Sequence, residues 1–308
     1  MPKMQNTPRC AAPCGSAQAE RTALPPAPAT AAASAAGVAP AGPAPLTVPG
    51  GMTEFDFDAH DVVLALTSGG KDSGALVHEV CAQADAAGQL HKVRVLHCDL
   101  GTTAEGQLVE WPGAEDTARA HAALYDVPFA VRRSRRWPSL WERMMSHGRW
   151  PGHWATYCRS DTKTAAGRDY VDEVGRELSL GRPPRAGYAM GMRAEESPAR
   201  AKKPILEVHR MSGKGTLRRV TTWLPVHHLT TAQVWDAHQQ HGIPHHEAYN
   251  LGMRRLSCRA CPLAGTKDLV RSAQLNPALF AEYAAAEPAM GQFKPSISLA
   301  QIIDRARS

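Results

Sequence analysis

From Phe55 onward the chain changes its hydrophobic period several times, and each change marks an element. Asp61–Thr67 is an unbroken apolar run of strand length, ended by Ser68-Gly69-Gly70-Lys71-Asp72-Ser73, which predicts a β-strand buried on both faces. Gly74–Ala87 then spaces Leu76, Val77, Val80 and Cys81 as a helix does, and Val93, Val95 and His97 alternate as a second strand closing on Asp99. Strand, glycine turn, helix and strand make one βαβ unit. Ala114–Leu124 predicts a helix, Val127–Val131 a third strand, Asp161–Leu178 a longer helix and Arg185–Met192 a fourth strand. This alternation predicts an α/β fold built on a doubly wound parallel sheet. Beyond Glu195 a turn-rich basic stretch, Ala201–Arg219, precedes a strand at Val220–Val226. Helices follow at Thr231–Gln240, Lys267–Leu275 and Pro277–Ala286, with no internal repeat.

Composition refines this division. Of 308 residues, 43% are hydrophobic and 21% charged, as in a globular chain, but the prolines and alanines crowd towards the N-terminus. Residues 1–54 have too few large apolar side chains to offset the entropy of ordering them and are expected to be a disordered Ala/Pro-rich tail. Residues 55–194 then form the core, and 195–308 a helical, cysteine-containing C-terminal elaboration. The formal net charge of +6 favours anionic partners such as nucleotides or nucleic acid without choosing among them. No apolar run reaches the roughly 18 residues that span a bilayer, and no basic-then-apolar leader opens the chain, so a cytoplasmic protein with no membrane contact is expected. The seven cysteines are an odd number in a chain that needs no stapling, which points to reduced thiols or metal ligands rather than disulfides. Cys10 and Cys14, inside the tail, are expected to be solvated thiols.

The segment Ser68–Ser73 lies between a buried strand and a helix start, where unpaired backbone N–H groups and the positive helix end favour an anion. Gly69 and Gly70 let the backbone approach a phosphate closely, Lys71 adds a point charge, and the Ser68 and Ser73 hydroxyls add donors. The spacing is not that of a Walker A loop. Asp99 and Arg193 are expected at the carboxyl edge of the same sheet, where such folds collect ligands. Asp99 suits a ribose or Mg²⁺, or a turn cap; Arg193 suits a phosphate or sulfate, or an ion pair.

Ser68–Ser73 resembles the PP-loop of the ATP pyrophosphatases, within the adenine nucleotide α-hydrolase superfamily. Asp99, Tyr157-Cys-Arg-Ser-Asp-Thr-Lys163, Gly191-Met-Arg-Ala-Glu-Glu-Ser197 and Ser257-Cys-Arg-Ala-Cys-Pro262 are similar to motifs of its phosphoadenosine phosphosulfate (PAPS) reductase branch. The resemblance spans about residues 60–285. It implies a Rossmann-like fold that binds ATP with Mg²⁺ or a related adenosine phosphate. The pyrophosphate end would rest on Ser68, Gly69, Gly70, Lys71, Asp72 and Ser73, with Lys71, Asp72 and Ser73 nearest the chemistry and Asp99 and Arg193 completing the nucleotide site.

Cys258 and Cys261 form a CxxC pair and Cys158 lies far upstream; thiolates of this kind bind zinc or iron. The iron–sulfur members of the resembled family pair upstream cysteines with a later CxxC, often with two adjacent cysteines where this chain has Tyr157 and Cys158. Three readings stand: a [4Fe-4S] cluster held by Cys158, Cys258 and Cys261 with one iron open, Zn²⁺ completed by His153 or His246, or plain buried thiols. The adjacent pairs His227-His228 and His245-His246 diverge and make poor two-histidine sites. Arg132-Arg133-Ser134-Arg135-Arg136, with Trp137, Trp141, Trp150 and Trp154, mixes cations and aromatics as a single-stranded nucleic-acid surface does, or as a solvated face beside a buried aromatic cluster does. Arg254 and Arg255 can draw an anion towards the CxxC.

Reduction of an adenylyl sulfate in the resembled family uses a nucleophilic cysteine on a C-terminal tail, and no cysteine follows Cys261 in this sequence. The intact loop with Lys71 suits a departing pyrophosphate. The leading expectation is therefore ATP cleavage between the α and β phosphates to adenylate an acceptor, for sulfur transfer of the nucleic-acid thiolation or phosphorothioation type. The partners implied are an adenine nucleotide and a nucleic acid or sulfur-donor protein. The alternatives are a phosphoadenylyl- or adenylyl-sulfate reductase and a non-catalytic nucleotide- or nucleic-acid-binding module.

Overall fold

Six strands and nine α-helices order the described residues, 54–214 and 216–308, of a computed structural model; these lie within one unit, Ala41–Ser308. The expected tail, with Cys10 and Cys14, falls outside the described residues apart from Glu54. The first strand, β1, is Val62–Thr67, and Lys71–Ala86 is α1. Then come β2 Val93–Cys98, α2 Ala114–Ala123, β3 Phe129–Arg132, α3 Leu140–His147, α4 Ala165–Glu177 and β4 Arg185–Ala189. The second half supplies α5 Pro198–Ala201, β5 Leu206–Val208, β6 Arg219–Trp223, α6 Thr231–Gln240, α7 Thr266–Leu275, α8 Pro277–Met290 and α9 Leu299–Arg307.

The strands form one sheet in the order β3-β2-β1-β4-β6-β5, parallel except for β5, which runs antiparallel to β6 at the edge. The doubly wound α/β reading thus holds. Two strands, β5 and β6, come from the segment after residue 195, so the C-terminal part completes the sheet as well as elaborating it. Strand order reverses between β1 and β4, and this switch point is where the chains leaving the carboxyl ends of two neighbouring strands part and leave a crevice.

The apolar run in β1 follows from burial on both sides. Val63 and Ala65 pack with α1, Phe55, Phe57 and Trp223 on one face, while Val62 and Leu64 pack with Tyr170, Val171 and Tyr188 on the other. A third cluster joins α3 to α7, α8 and α9 through Trp141, Trp150, Tyr283 and Phe293. Cys158 and Cys258 lie at its margin.

Boundaries differ from expectation where the backbone is drawn into other work. The fourth strand stops at Ala189 rather than Met192, because the chain turns there to cross the first turn of α1: a Cβ on Gly191 would lie 3.0 Å from the Asp72 carbonyl oxygen. The helix expected from Asp161 begins with a π-helical turn, Arg159–Thr164, directly after Cys158. The strand expected at Val220–Val226 is Arg219–Trp223.

Candidate functional site

The loop Ser68-Gly69-Gly70 leaves β1 and enters α1 at the switch point. Gly69 sits at φ +71, and any Cβ there would run into the Ala114 carbonyl oxygen, so both the conformation and the space require glycine. The Ser73 hydroxyl folds the loop back on itself, donating to the Gly70 carbonyl at 2.8 Å and accepting the Ser68 N–H at 3.2 Å. Gly70 caps α1 without a side-chain bond, and the N–H groups of Gly70, Asp72 and Ser73 have no partner within the described protein. Three free donors at a helix start, beside the unbonded Ser68 hydroxyl, make an anion cradle.

The lysine N–H is used differently. Lys71 N–H donates to the Tyr249 hydroxyl at 2.9 Å, and His238 Nε2 meets the Lys71 carbonyl at 2.7 Å. Burial pushes the Tyr249 phenol up to about 12, so it stays protonated. Neither Tyr249 nor His238 was singled out from sequence; the only signal was that both fall in the elaboration that follows the sheet.

Charge at the cradle is organised around Asp72. Its carboxylate takes Lys71 Nζ at 2.8 Å and Arg193 Nε at 2.6 Å. Burial raises the Asp72 pKa, but Lys71 and Arg193 outweigh it and hold the carboxyl below its usual range. Arg193 is 3% exposed. Its guanidinium also pairs with Glu195 at 2.7 Å and donates to the Leu229 carbonyl and Thr231 hydroxyl, each at 3.1 Å. Arg193 therefore stands at the expected edge with four of its five N–H donors taken by protein, as a residue that positions the loop from β4 would have them. Asp99, beyond β2, accepts the Gly101 N–H at 2.7 Å and pairs with Arg133. It has the turn-cap contact foreseen as its structural alternative.

A cleft of about 490 Å³ opens beside Lys71 and Arg193 and is lined further by Glu195, Thr231, Arg254 and Arg255. Arg254 pairs with Asp268 at 3.0 Å and Arg255 with Glu196 at 2.5 Å, both with the arginine more than half exposed. In each pair the carboxylate side chain is only 7% exposed, so the arginine answers the charge of a buried acid at the rim of the cleft.

The structure brings Cys158, Cys258 and Cys261 into one neighbourhood. Burial raises the Cys158 thiol pKa, and the charges of Cys261 and Cys258 are felt at their neighbours. Lys163 sits among them; burial alone would lower its pKa, but Cys258, Glu110, Cys98 and Cys158 outweigh it and raise it. Among the described residues no three His, Cys, Asp or Glu side chains close on a point as one metal ion requires. The zinc arrangement is thereby corrected. His246 spends Nε2 on the Pro112 carbonyl at 2.9 Å and Nδ1 on the Ala248 N–H at 3.0 Å, while His153 is exposed on a turn.

Of the arginine run, Arg132 pairs with Glu173, Arg133 with Asp99 and Arg135 with Asp169. Among the described residues no helix is long and apolar enough to cross a membrane.

The family model described as "Phosphoadenosine phosphosulfate reductase domain" matches residues 62–264, which include the loop, Arg193 and all three cysteines. No curated protein matches the chain. Among solved structures, a phosphoadenylyl-sulfate (PAPS) reductase from Candida auris, in a phosphate complex, is similar at 19% identity with a TM-score of 0.39, over 64% of this chain and 80% of its own. An FMN adenylyltransferase from Candida glabrata, in complex with FAD and inorganic pyrophosphate, is similar at 10% identity with a TM-score of 0.40, over 64% of this chain and 55% of its own.

Proposed function

The chain belongs to the phosphoadenosine phosphosulfate reductase domain family, and from that membership and the form of the loop we propose that it is a nucleotide-dependent enzyme that cleaves ATP between the α and β phosphates and adenylates an acceptor for sulfur transfer. The observation that carries this reading is the cradle: three unpaired N–H groups and the Ser68 hydroxyl at the start of α1, opening beside Lys71 onto a cleft lined by four cations and three carboxylates. Such a cradle holds a pyrophosphate and stabilises the charge it gathers as it departs. No covalent enzyme group is required for that step, because fixed donors aimed at developing charge supply the stabilisation.

Ser68, Gly69, Gly70, Lys71, Asp72 and Ser73 are assigned to the pyrophosphate. On this reading Lys71 Nζ leaves Asp72 for the phosphate when nucleotide binds, and Arg193 retains Asp72 so that the carboxylate is not left unpaired. Mg²⁺, bound as the companion of ATP, would offset charge on the phosphate oxygens. Cys158, Cys258 and Cys261 would hold a [4Fe-4S] cluster, which, with only three protein ligands, supplies an iron open to a sulfur donor.

The test is pyrophosphate release from ATP with a candidate acceptor. Lys71→Ala is expected to reduce it by about 100-fold or more, the usual cost of removing one preorganised charge donor. Release at the wild-type rate in that variant would exclude the loop as the reaction site. The family description itself favours a second reading, reduction of a phosphoadenylyl or adenylyl sulfate. Sulfite formed from such a substrate with a thiol reductant, and no pyrophosphate formed from ATP, would select it.

A further inference from the structure

We propose that the surface built from Arg136, Trp137, Arg149, Trp154 and Arg159 is a stacking and phosphate-binding platform for single-stranded nucleic acid. This deepens the reading above by naming the acceptor's chemical class, yet binding can be measured without turnover.

Trp154 stands apart from the other large aromatics. Its side chain is 102% exposed, whereas Trp111, Trp141, Trp150 and Trp223 are between 2% and 8% exposed. The turn that carries it is held on both sides: Gly152 and Ala155 exchange two backbone hydrogen bonds, of 3.3 and 3.1 Å. Upstream, Trp150 is buried against Tyr283 and donates its Nε1–H to the Gly291 carbonyl at 2.7 Å. Downstream, the Tyr157 hydroxyl donates to the Arg149 carbonyl. An anchored turn thus presents a bare indole, which is costly to leave in water and well suited to take a base on its face.

Cations and rings continue from the turn as a ladder. The His147 ring lies 4.3 Å from that of Tyr157, and the Arg143 guanidinium lies 4.5 Å from the Tyr157 ring and 5.0 Å from that of Trp137. Arg136 lies 5.2 Å from Trp137 in turn. Between Arg132 and Asp161 there are seven arginines against two acids, Glu142 and Asp161. Four of the arginines are spent on carboxylates: Arg132, Arg133, Arg135 and Arg143. Arg136, Arg149 and Arg159 are exposed and, among the described residues, pair with none. Unspent cations beside an unspent ring match a strand whose bases are unstacked; a duplex hides the faces that Trp154 would cover.

The position also fits. Cys98 pairs with Arg132 and Thr67 with His97, so the arginine run leaves the carboxyl edge of the sheet two strands from the loop. At a strand spacing of about 4.8 Å, that is roughly 10 Å along the sheet.

The experiment is fluorescence anisotropy with labelled 12-nucleotide DNA and RNA strands of mixed sequence, single and annealed, on the full chain. Wild-type protein is expected to prefer the single strands, and Trp154→Ala to bind them about tenfold more weakly with unchanged melting. Arg149→Glu with Arg159→Glu should weaken binding to all sequences and flatten its salt dependence. The tighter of the DNA and RNA arms assigns the sugar. Equal affinity of wild type and Trp154→Ala, or preference for duplex, overturns the platform. Single-strand binding retained in a protein that releases no pyrophosphate supports the platform and refutes the adenylation reading alone.

Discussion

Arg193 decides between two uses of an arginine at a nucleotide site, and replacing it with methionine separates them. A clamp for substrate has open donors and little influence on the empty protein, whereas a positioning residue is bonded before any ligand arrives. Arg193 is 3% exposed and bonded to Asp72, Glu195, Leu229 and Thr231. Methionine fills much of the volume but leaves Asp72 with Lys71 alone and the Leu229 carbonyl without its guanidinium donor. Removing one partner from a buried, hydrogen-bonded ion pair costs about 3–5 kcal/mol, and since the Asp72 side chain is 22% exposed the lower end applies. In a chain of this size about 3 kcal/mol lowers the melting temperature by on the order of 10 °C. Differential scanning calorimetry of the ligand-free protein reads this directly. The double variant Arg193→Met with Asp72→Asn should lose less than the sum of the two single variants, because the orphaned carboxylate is gone. A ligand-free Arg193→Met protein that melts within about 2 °C of wild type, while failing to bind nucleotide, would refute the positioning role and restore the clamp.

The remaining predictions concern the same loop and its packing. In Tyr249→Phe the Lys71 N–H loses its acceptor, so the empty protein should be less stable by about 1–2 kcal/mol. A bound phosphate that takes that N–H would recover this, tightening pyrophosphate binding about fivefold or more by calorimetric titration; weaker binding would show that the hydroxyl itself serves the ligand. Burial holds His121 neutral and lowers its pKa to about 4 from 6.5, so below pH 6.5 the unfolded chain takes up a proton that the folded chain refuses. Stability should therefore fall by about 3 kcal/mol between pH 6.5 and 4, with His238 adding in the same direction, and denaturant titration of His121→Asn should show a shallower fall.

How much of this could be read in the sequence depended on whether the information was local. The β1 run, the glycine loop and the spacing of α1 were legible because each is set by residues that are neighbours in the chain. The edge strand β5 was not: it has three residues and Val208 is 81% exposed, so no alternation marks it. The last helix was missed although Ser298 and Gln301 form a capping box ahead of buried Leu299 and Ile302. That signal was available and outweighed by the polar residues around it. At the site, the residue types were legible and their partners were not. Lys71 and Tyr249 are 178 positions apart, and Arg193 and Asp72 are 121 apart. The sheet order, which places the β4 exit beside the β1 exit, brings Arg193 to Asp72, and the packing of α6 against α1 brings the segment with Tyr249 to Lys71.

That sheet order also explains why one chain can carry both a phosphate cradle and a thiol-rich pocket. His97, on the last turn of backbone in β2, meets the Thr67 carbonyl through Nδ1 at 3.1 Å, directly before the glycine loop. Its Nε2 pairs with Glu110 at 3.4 Å, whose carboxylate accepts the Leu100 N–H at 3.2 Å. Burial would lower the His97 pKa, but Glu110 outweighs it and raises it; the stabilisation is thus complete below pH 6.5 and lost as pH rises through the folded value. Glu110 in turn shares the field of Lys163 with Cys258 and Cys158. Bonds therefore run from the end of β1 through His97 to Glu110 and the Leu100 N–H, and beyond Glu110 the cysteines and Lys163 are reached by charge alone. Such groups are expensive to bury singly and stable only when all are satisfied, so His97 and Glu110 tie the loop end of β1 to the segment that follows β2. On the proposed sulfur-transfer reading the loop and the thiols serve one reaction, and the tie from Thr67 through His97 to Glu110 holds the loop side of it in place.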